Sequence, residues 1–145
     1  IIINAFDSTL LALFVGIIML NDTCAYFVGI NFGKTKFSKV SPKKSVEGLF
    51  GGVIGSTLAT LLIIGFFELF FPGFINIKVG VSAIIGFCII IDVFAILGDL
   101  LESKLKRTIG IKDSGTIVYG HGGILDRLDS WVLAAIPVAT YIMFF

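Results

Sequence analysis

Four long apolar stretches run through this sequence, and they constrain it more than any other feature. A helix that spans a bilayer needs about 20 mostly apolar residues. The stretches at residues 6–30, 49–71, 79–101 and 124–145 all meet that length. Polar residues inside them include Asn21, Asp22 and Thr23 in the first, Glu68 in the second, and Asp92 and Asp99 in the third, while the fourth starts polar and ends apolar. The chain is 57% apolar and only 14% charged, with a mean hydropathy of +1.05. A soluble domain carries roughly 25% charged residues. The expectation is an all-α, polytopic integral-membrane helical bundle with about four transmembrane helices and two polar loops. Residues 1–145 form one membrane-embedded domain, and the short link at 72–78 makes its second and third helices an antiparallel pair.

The charge is clustered. Residues 32–47 hold Lys34, Lys36, Lys39, Lys43 and Lys44, and residues 102–129 hold Lys104, Lys106, Arg107, Lys112 and Arg127. Two helices separate these loops, so both emerge on one side of the membrane. Ten of the eleven basic residues lie there, and the exception is Lys78. The positive-inside rule assigns that side to the cytoplasm. The sequon Asn21-Asp22-Thr23 is then near a cytoplasmic helix end and stays unmodified. A net charge of +1 gives no global field for nucleic acid. Cys24 and Cys88 have no metal-ligand spacing and read as small buried hydrophobes. Gly29 and Gly33, and Gly51, Gly55 and Ala59, recur every four residues, a spacing that lets helices approach closely in lipid. The chain opens on Ile1 with no basic residue before Lys34, which reads as a fragment whose upstream helices are missing.

Carboxylates inside a membrane are costly and mark sites. Asp92 and Asp99 are seven apart and share a helix face two turns apart, with Asp22 near the same level. Glu102 and Lys106 continue that helical spacing, and Glu102 reads as a charge snorkelling at a helix end. The segment from Ser103 to Asp129 resembles a phosphate-handling assembly. Lys106, Arg107, Lys112 and Arg127 supply cations for phosphate oxygens, and Gly122 and Gly123 let backbone N–H groups approach an oxyanion. Asp126 and Asp129 share one face of a helix that starts there. Carboxylates beside phosphate-binding cations suit Mg²⁺. His121, the lone histidine, has the range of an acid or base near neutral pH, but its residue type alone assigns it no role. Gly29 to Thr35 is one residue short of a P-loop and follows a membrane helix, so that reading is rejected.

Taken together these residues resemble the phosphatidate cytidylyltransferase family. Its signature is matched by Ser103-Lys-Leu-Lys-Arg107, Lys112-Asp113 and His121-Gly-Gly-Ile-Leu-Asp-Arg-Leu-Asp129, without insertion. Asn21 to Tyr26, Gly33-Lys34, Ser41 to Lys44, Glu47-Gly48, Gly51-Gly52 and Gly98 to Ser103 follow the family's order. Tyr119 stands where the family usually has Pro or Gly, and Val118 where it has Leu, Ile or Phe. The resemblance implies CMP transfer from CTP to phosphatidic acid, giving CDP-diacylglycerol and pyrophosphate, with Mg²⁺ as cofactor. It also implies a membrane-lipid environment and a homodimer. Asp99 and Asp126 are the implied metal ligands, with Asp22, Asp92 and Asp129 as second choices. Lys44 and Arg127 join Asp99 and Asp126 as catalytic residues. Asn21, Asp22, Lys34, Lys43, Lys44, Ser103, Lys106, Arg107, Lys112, Asp113, His121, Gly122, Gly123 and Asp129 are the implied contacts to CTP and lipid phosphate.

Three rivals remain in view. A CTP-dependent enzyme for an ether-lipid phosphate would share the chemistry. A CDP-alcohol phosphotransferase needs an Asp-Gly pattern with spaced aspartates that is absent here. A transporter explains Asp92 and Asp99 but not the cations, glycines and histidine gathered in one loop.

Overall fold

A computed structural model describes the backbone of residues 3–37, 44–73, 80–110 and 125–144, and the side chains of 10–37, 44–73, 80–110 and 130–140. Four helices follow one another: α1 (Ile3–Phe32), α2 (Val46–Phe70), α3 (Val81–Ile109) and α4 (Leu125–Phe144). The expected helical bundle is what forms. Three of the helices carry spans long and apolar enough to cross a membrane, at Leu10–Phe32, Val46–Phe70 and Val81–Ile109. In α4 the described apolar run is shorter, Ser130–Thr140. Pro137 lies inside α4, where it removes one backbone donor, and the Thr140 hydroxyl donates to the Pro137 carbonyl at 2.9 Å.

The outer surface is apolar. Phe50, Ile54, Leu58, Leu62 and Phe66 recur every four residues along α2, and all are more than half exposed. A monomeric soluble protein rarely shows an unbroken apolar stripe of this extent, whereas a lipid-facing helix requires one. The core lies between α1, α3 and α4. Phe14, Ile17 and Ile18 meet Cys88, Ile91, Ala95 and Ala134, and Trp131 stands edge-on to Phe14 with ring centroids 6.3 Å apart.

The glycine spacing has the packing role expected of it. Gly48, Gly51, Gly52 and Gly55 put the bare backbone of α2 against Asn21, Cys24, Ala25 and Val28 of α1. A Cβ on Gly51 would stand 2.5 Å from Val28 Cγ1, and one on Gly55 would stand 2.7 Å from Cys24 Cβ. These are closer than real carbon contacts, so the helix approach exists only because those positions lack side chains.

Helices α2 and α3 run antiparallel, as their contacts show. Lys44, just before α2, meets Asp99 late in α3, and Ser56, further along α2, meets Asp92, earlier in α3. Their contact is nevertheless less extensive than those of α1 with α2 and α3 with α4. One boundary differs from expectation. The third helix does not stop at Leu101 but continues to Ile109, so Ser103 to Arg107 are helical and not part of a loop. Lys106 and Arg107 in its last turn complement the helix dipole. Gly110, left-handed at φ 79°, then ends it with its N–H bonded to the Lys106 and Arg107 carbonyls.

Candidate functional site

The site is built where α3 leaves the apolar layer. Asp99 belongs to α3, and its carboxylate pairs with the Lys44 ammonium from the segment before α2. The Ser103 hydroxyl, one turn beyond, donates to Asp99 Oδ1 at 3.4 Å. The Asp99 and Lys44 side chains are 19% and 31% exposed, sheltered yet open to a ligand. The same stretch of α3 carries the pair Glu102 and Lys106, 3.2 Å apart at i,i+4. Glu102 is buried, so it does not snorkel outward as expected. Its charge is matched along its own helix instead.

Lys44 owes its position to a short closed segment. The Phe37 N–H donates to the Lys44 carbonyl and the Val46 N–H to the Thr35 carbonyl, each at 2.9 Å, around a Lys36–Ser45 bridge. The Glu47 carboxylate accepts the Thr35 N–H with both oxygens at 3.1 Å. Ser45 is the N-cap of α2, its hydroxyl accepting the Gly48 N–H at 3.1 Å. The lysine segment is thereby tied to a helix start at both ends. Glu47 and Ser45 are structural parts of the site that the motif reading did not single out as such. The Ser45 spacing from Gly48 was the available signal for a cap.

The other expected residues divide by position. Asn21 is buried on α1 against Gly52. Asp22 is exposed on α1 and within electrostatic reach of Asp92. Asp92 lies two turns deeper than Asp99 and is fully buried, accepting a hydrogen bond from Ser56. Lys34 and Arg107 are exposed. Asp126, Arg127 and Asp129 fall in the first turns of α4, where only the backbone is described. Lys43, Lys112, Asp113, Val118, Tyr119, His121, Gly122 and Gly123 lie outside the described residues.

The donor chemistry around Asp99 fits a hard divalent cation. It offers a carboxylate and a hydroxyl beside it, both oxygen donors. Among the described residues no group of three or more acidic, His or Cys side chains forms a ready metal cage.

Residues 1–145 match the Cytidylyltransferase family throughout. The chain belongs to that family. It is 46% identical over 129 residues to the phosphatidate cytidylyltransferase of Haemophilus influenzae, covering 86% of this chain and 42% of that protein. It is 41% identical over 117 residues to the phosphatidate cytidylyltransferases of Staphylococcus epidermidis and Staphylococcus aureus, covering 80% of this chain and 42% of each. The chain thus spans less than half the length of these relatives. In this chain of the Cytidylyltransferase family, the Lys44–Asp99 pair puts a cation and an acid together near the end of the apolar span of α3.

Proposed function

We propose that this chain is the catalytic part of a phosphatidate cytidylyltransferase, transferring CMP from CTP to phosphatidic acid with release of pyrophosphate. The observation that carries the reading is the Lys44–Asp99–Ser103 constellation at the end of an apolar span, in a chain of this family. A lipid phosphate oxygen attacks the α-phosphorus of CTP, the bond to the β-phosphate bridging oxygen breaks, and pyrophosphate leaves. The nucleophile is already an oxyanion, so positioning and charge neutralisation dominate over base catalysis.

Asp99 and Asp126 would hold Mg²⁺. The ion, when bound, supplies Lewis-acid neutralisation of the phosphate oxygens. Ser103 orients the Asp99 carboxylate through its hydroxyl. Lys44, Arg107 and Arg127, with Lys106, Lys43 and Lys112 around them, attract and align the two anionic substrates. Both basic segments face the cytoplasm, where CTP is available, and the protein works as a homodimer in the membrane.

The test is turnover. Purified protein in lipid vesicles should move label from radiolabelled CTP into a lipid product only when both phosphatidic acid and Mg²⁺ are present. Absence of labelled lipid, or labelling without phosphatidic acid, overturns the reading. An ether-lipid phosphate used faster than the ester lipid would replace the substrate and keep the chemistry.

A further inference from the structure

We propose that Lys44 is the resident counter-ion of Asp99, and that it exchanges this carboxylate for the nucleotide's phosphates when a divalent cation arrives. Lys44 thereby couples metal binding to nucleotide binding. The inference rests on Asp99 being a metal ligand, as read above.

Lys44 and Asp99 meet across the antiparallel pair of α2 and α3, not from neighbouring turns of one helix, so the contact is a tertiary choice of the fold. Both side chains are partly sheltered, which limits screening by solvent and salt. The backbone of Lys44 is held by the Phe37 bond to its carbonyl and by the α2 cap immediately after it. Only the flexible four-carbon stem is left to move, and it can swing an ammonium without disturbing the fold. The neighbouring cation Lys106 is already engaged with Glu102 at 3.2 Å.

Charge arithmetic then dictates an exchange. One carboxylate facing one ammonium is neutral. A divalent cation added to that carboxylate leaves a positive excess, and the ammonium and metal repel at contact distance. A polyanionic triphosphate reverses the sign. It neutralises the metal and offers the displaced ammonium a better partner. Metal alone therefore competes with Lys44 for Asp99, whereas metal and nucleotide together do not. By linkage, the same coupling must appear in the affinity of each for the protein.

The experiment needs no turnover. The protein is placed in nanodiscs without phosphatidic acid. Mn²⁺ binding without nucleotide is followed by electron paramagnetic resonance, and radiolabelled CTP binding is measured with and without Mn²⁺. Lys44→Met should bind Mn²⁺ alone about tenfold more tightly than wild type and lose most of the enhancement of CTP binding by Mn²⁺, a coupling typically 5–150-fold in size. Lys44→Arg should keep the wild-type pattern, and so should Lys104→Met on the exposed face of α3. Lys44→Gln repeats the neutralisation with a polar side chain, should the apolar one disturb folding as judged by circular dichroism. If both neutral variants bind Mn²⁺ no more tightly than wild type, the exchange is wrong. Asp99→Asn separates the two layers. Should it leave Mn²⁺ binding unchanged, the metal assignment falls and the exchange with it. Should it abolish binding while Lys44→Met changes nothing, only the exchange falls.

Discussion

Ser56 donates a 2.5 Å hydrogen bond to Asp92 across the contact between α2 and α3, and both side chains are fully closed off from the surface. The other carboxylate oxygen, Oδ1, has no hydrogen-bond partner among the described residues. Ser56 is thus the group that makes burial of Asp92 tolerable. Removing one partner of a buried pair leaves the other's desolvation uncompensated. Ser56→Ala should destabilise the protein by about 1–2 kcal/mol, at the upper end for an interhelical hydrogen bond in a membrane. Asp92→Asn should cost less, because it removes the charge and keeps an acceptor. Thermal unfolding in detergent, followed by a thiol-reactive dye, reads this through the buried Cys88 once the more accessible Cys24 is replaced. A larger loss for Asp92→Asn than for Ser56→Ala would contradict the assignment.

The glycine face of α2 makes a steric prediction. Gly51→Val and Gly55→Val should each destabilise by about 1–3 kcal/mol or separate α1 from α2, because the new side chains enter Val28 and Cys24. Gly65→Ala and Gly86→Ala are the internal controls, since nothing lies within 4 Å of either added Cβ. These two should be neutral or slightly stabilising through helix propensity. Equal losses at all four positions in the same unfolding assay would show that the close approach of α1 to α2 does not explain the glycines.

Glu47 anchors the lysine segment by accepting the Thr35 N–H with both oxygens. Glu47→Ala should loosen the segment that presents Lys44 and raise the KM for CTP several-fold, with a smaller change in kcat. Glu47→Gln keeps one acceptor oxygen and should fall between Ala and wild type. A change in kcat with an unaltered KM would point to a direct chemical role instead.

Much of this architecture was readable from the sequence because apolar length alone defines a spanning helix. The errors have a common cause. The Lys/Arg run after Leu101 marks the membrane edge, but a helix does not stop at the edge when its residues are good helix formers and the first left-handed glycine is Gly110. Glu102 looked like a surface charge for the same reason, although its α3 face is turned inward toward the bundle. The pairs Lys44–Asp99 and Ser56–Asp92 join residues far apart in sequence. Periodicity within one helix carries no information about its rotation against the next. Ser56 in particular sits in an apolar-looking run and gives no signal until α3 is brought beside it.

The site assignment predicts a graded loss of activity. Asp99→Asn and Asp126→Asn should each lower kcat by about a hundredfold or more, the scale of removing one preorganised electrostatic contributor. Lys44→Ala should cost more than Lys34→Ala, because Lys44 meets Asp99 while Lys34 is exposed on the far side of the segment's closing bonds. Initial rates of labelled-lipid formation from CTP decide this. Wild-type turnover in either aspartate variant would remove that residue from the metal site, and equal lysine effects would undo the ranking.

The antiparallel contact of α2 and α3 puts the two ends of that pair on opposite sides of a membrane they span, and the proposed orientation is open to direct labelling. Lys36 lies in the exposed segment before α2, and Ser82 is exposed in the first turn of α3, at the other end of the antiparallel pair. Single-cysteine variants Lys36→Cys and Ser82→Cys, made with Cys24 and Cys88 replaced, place reporters at the two ends. A membrane-impermeant maleimide should react with Lys36→Cys only from the cytoplasmic face, the side that the positive-inside rule predicts for a lysine cluster. It should react with Ser82→Cys only from the opposite face. Labelling of both from one face would rule out a spanning α2. Labelling with the faces exchanged would keep the bundle but put the Lys44–Asp99 pair on the side without CTP, which the proposed reaction cannot accommodate.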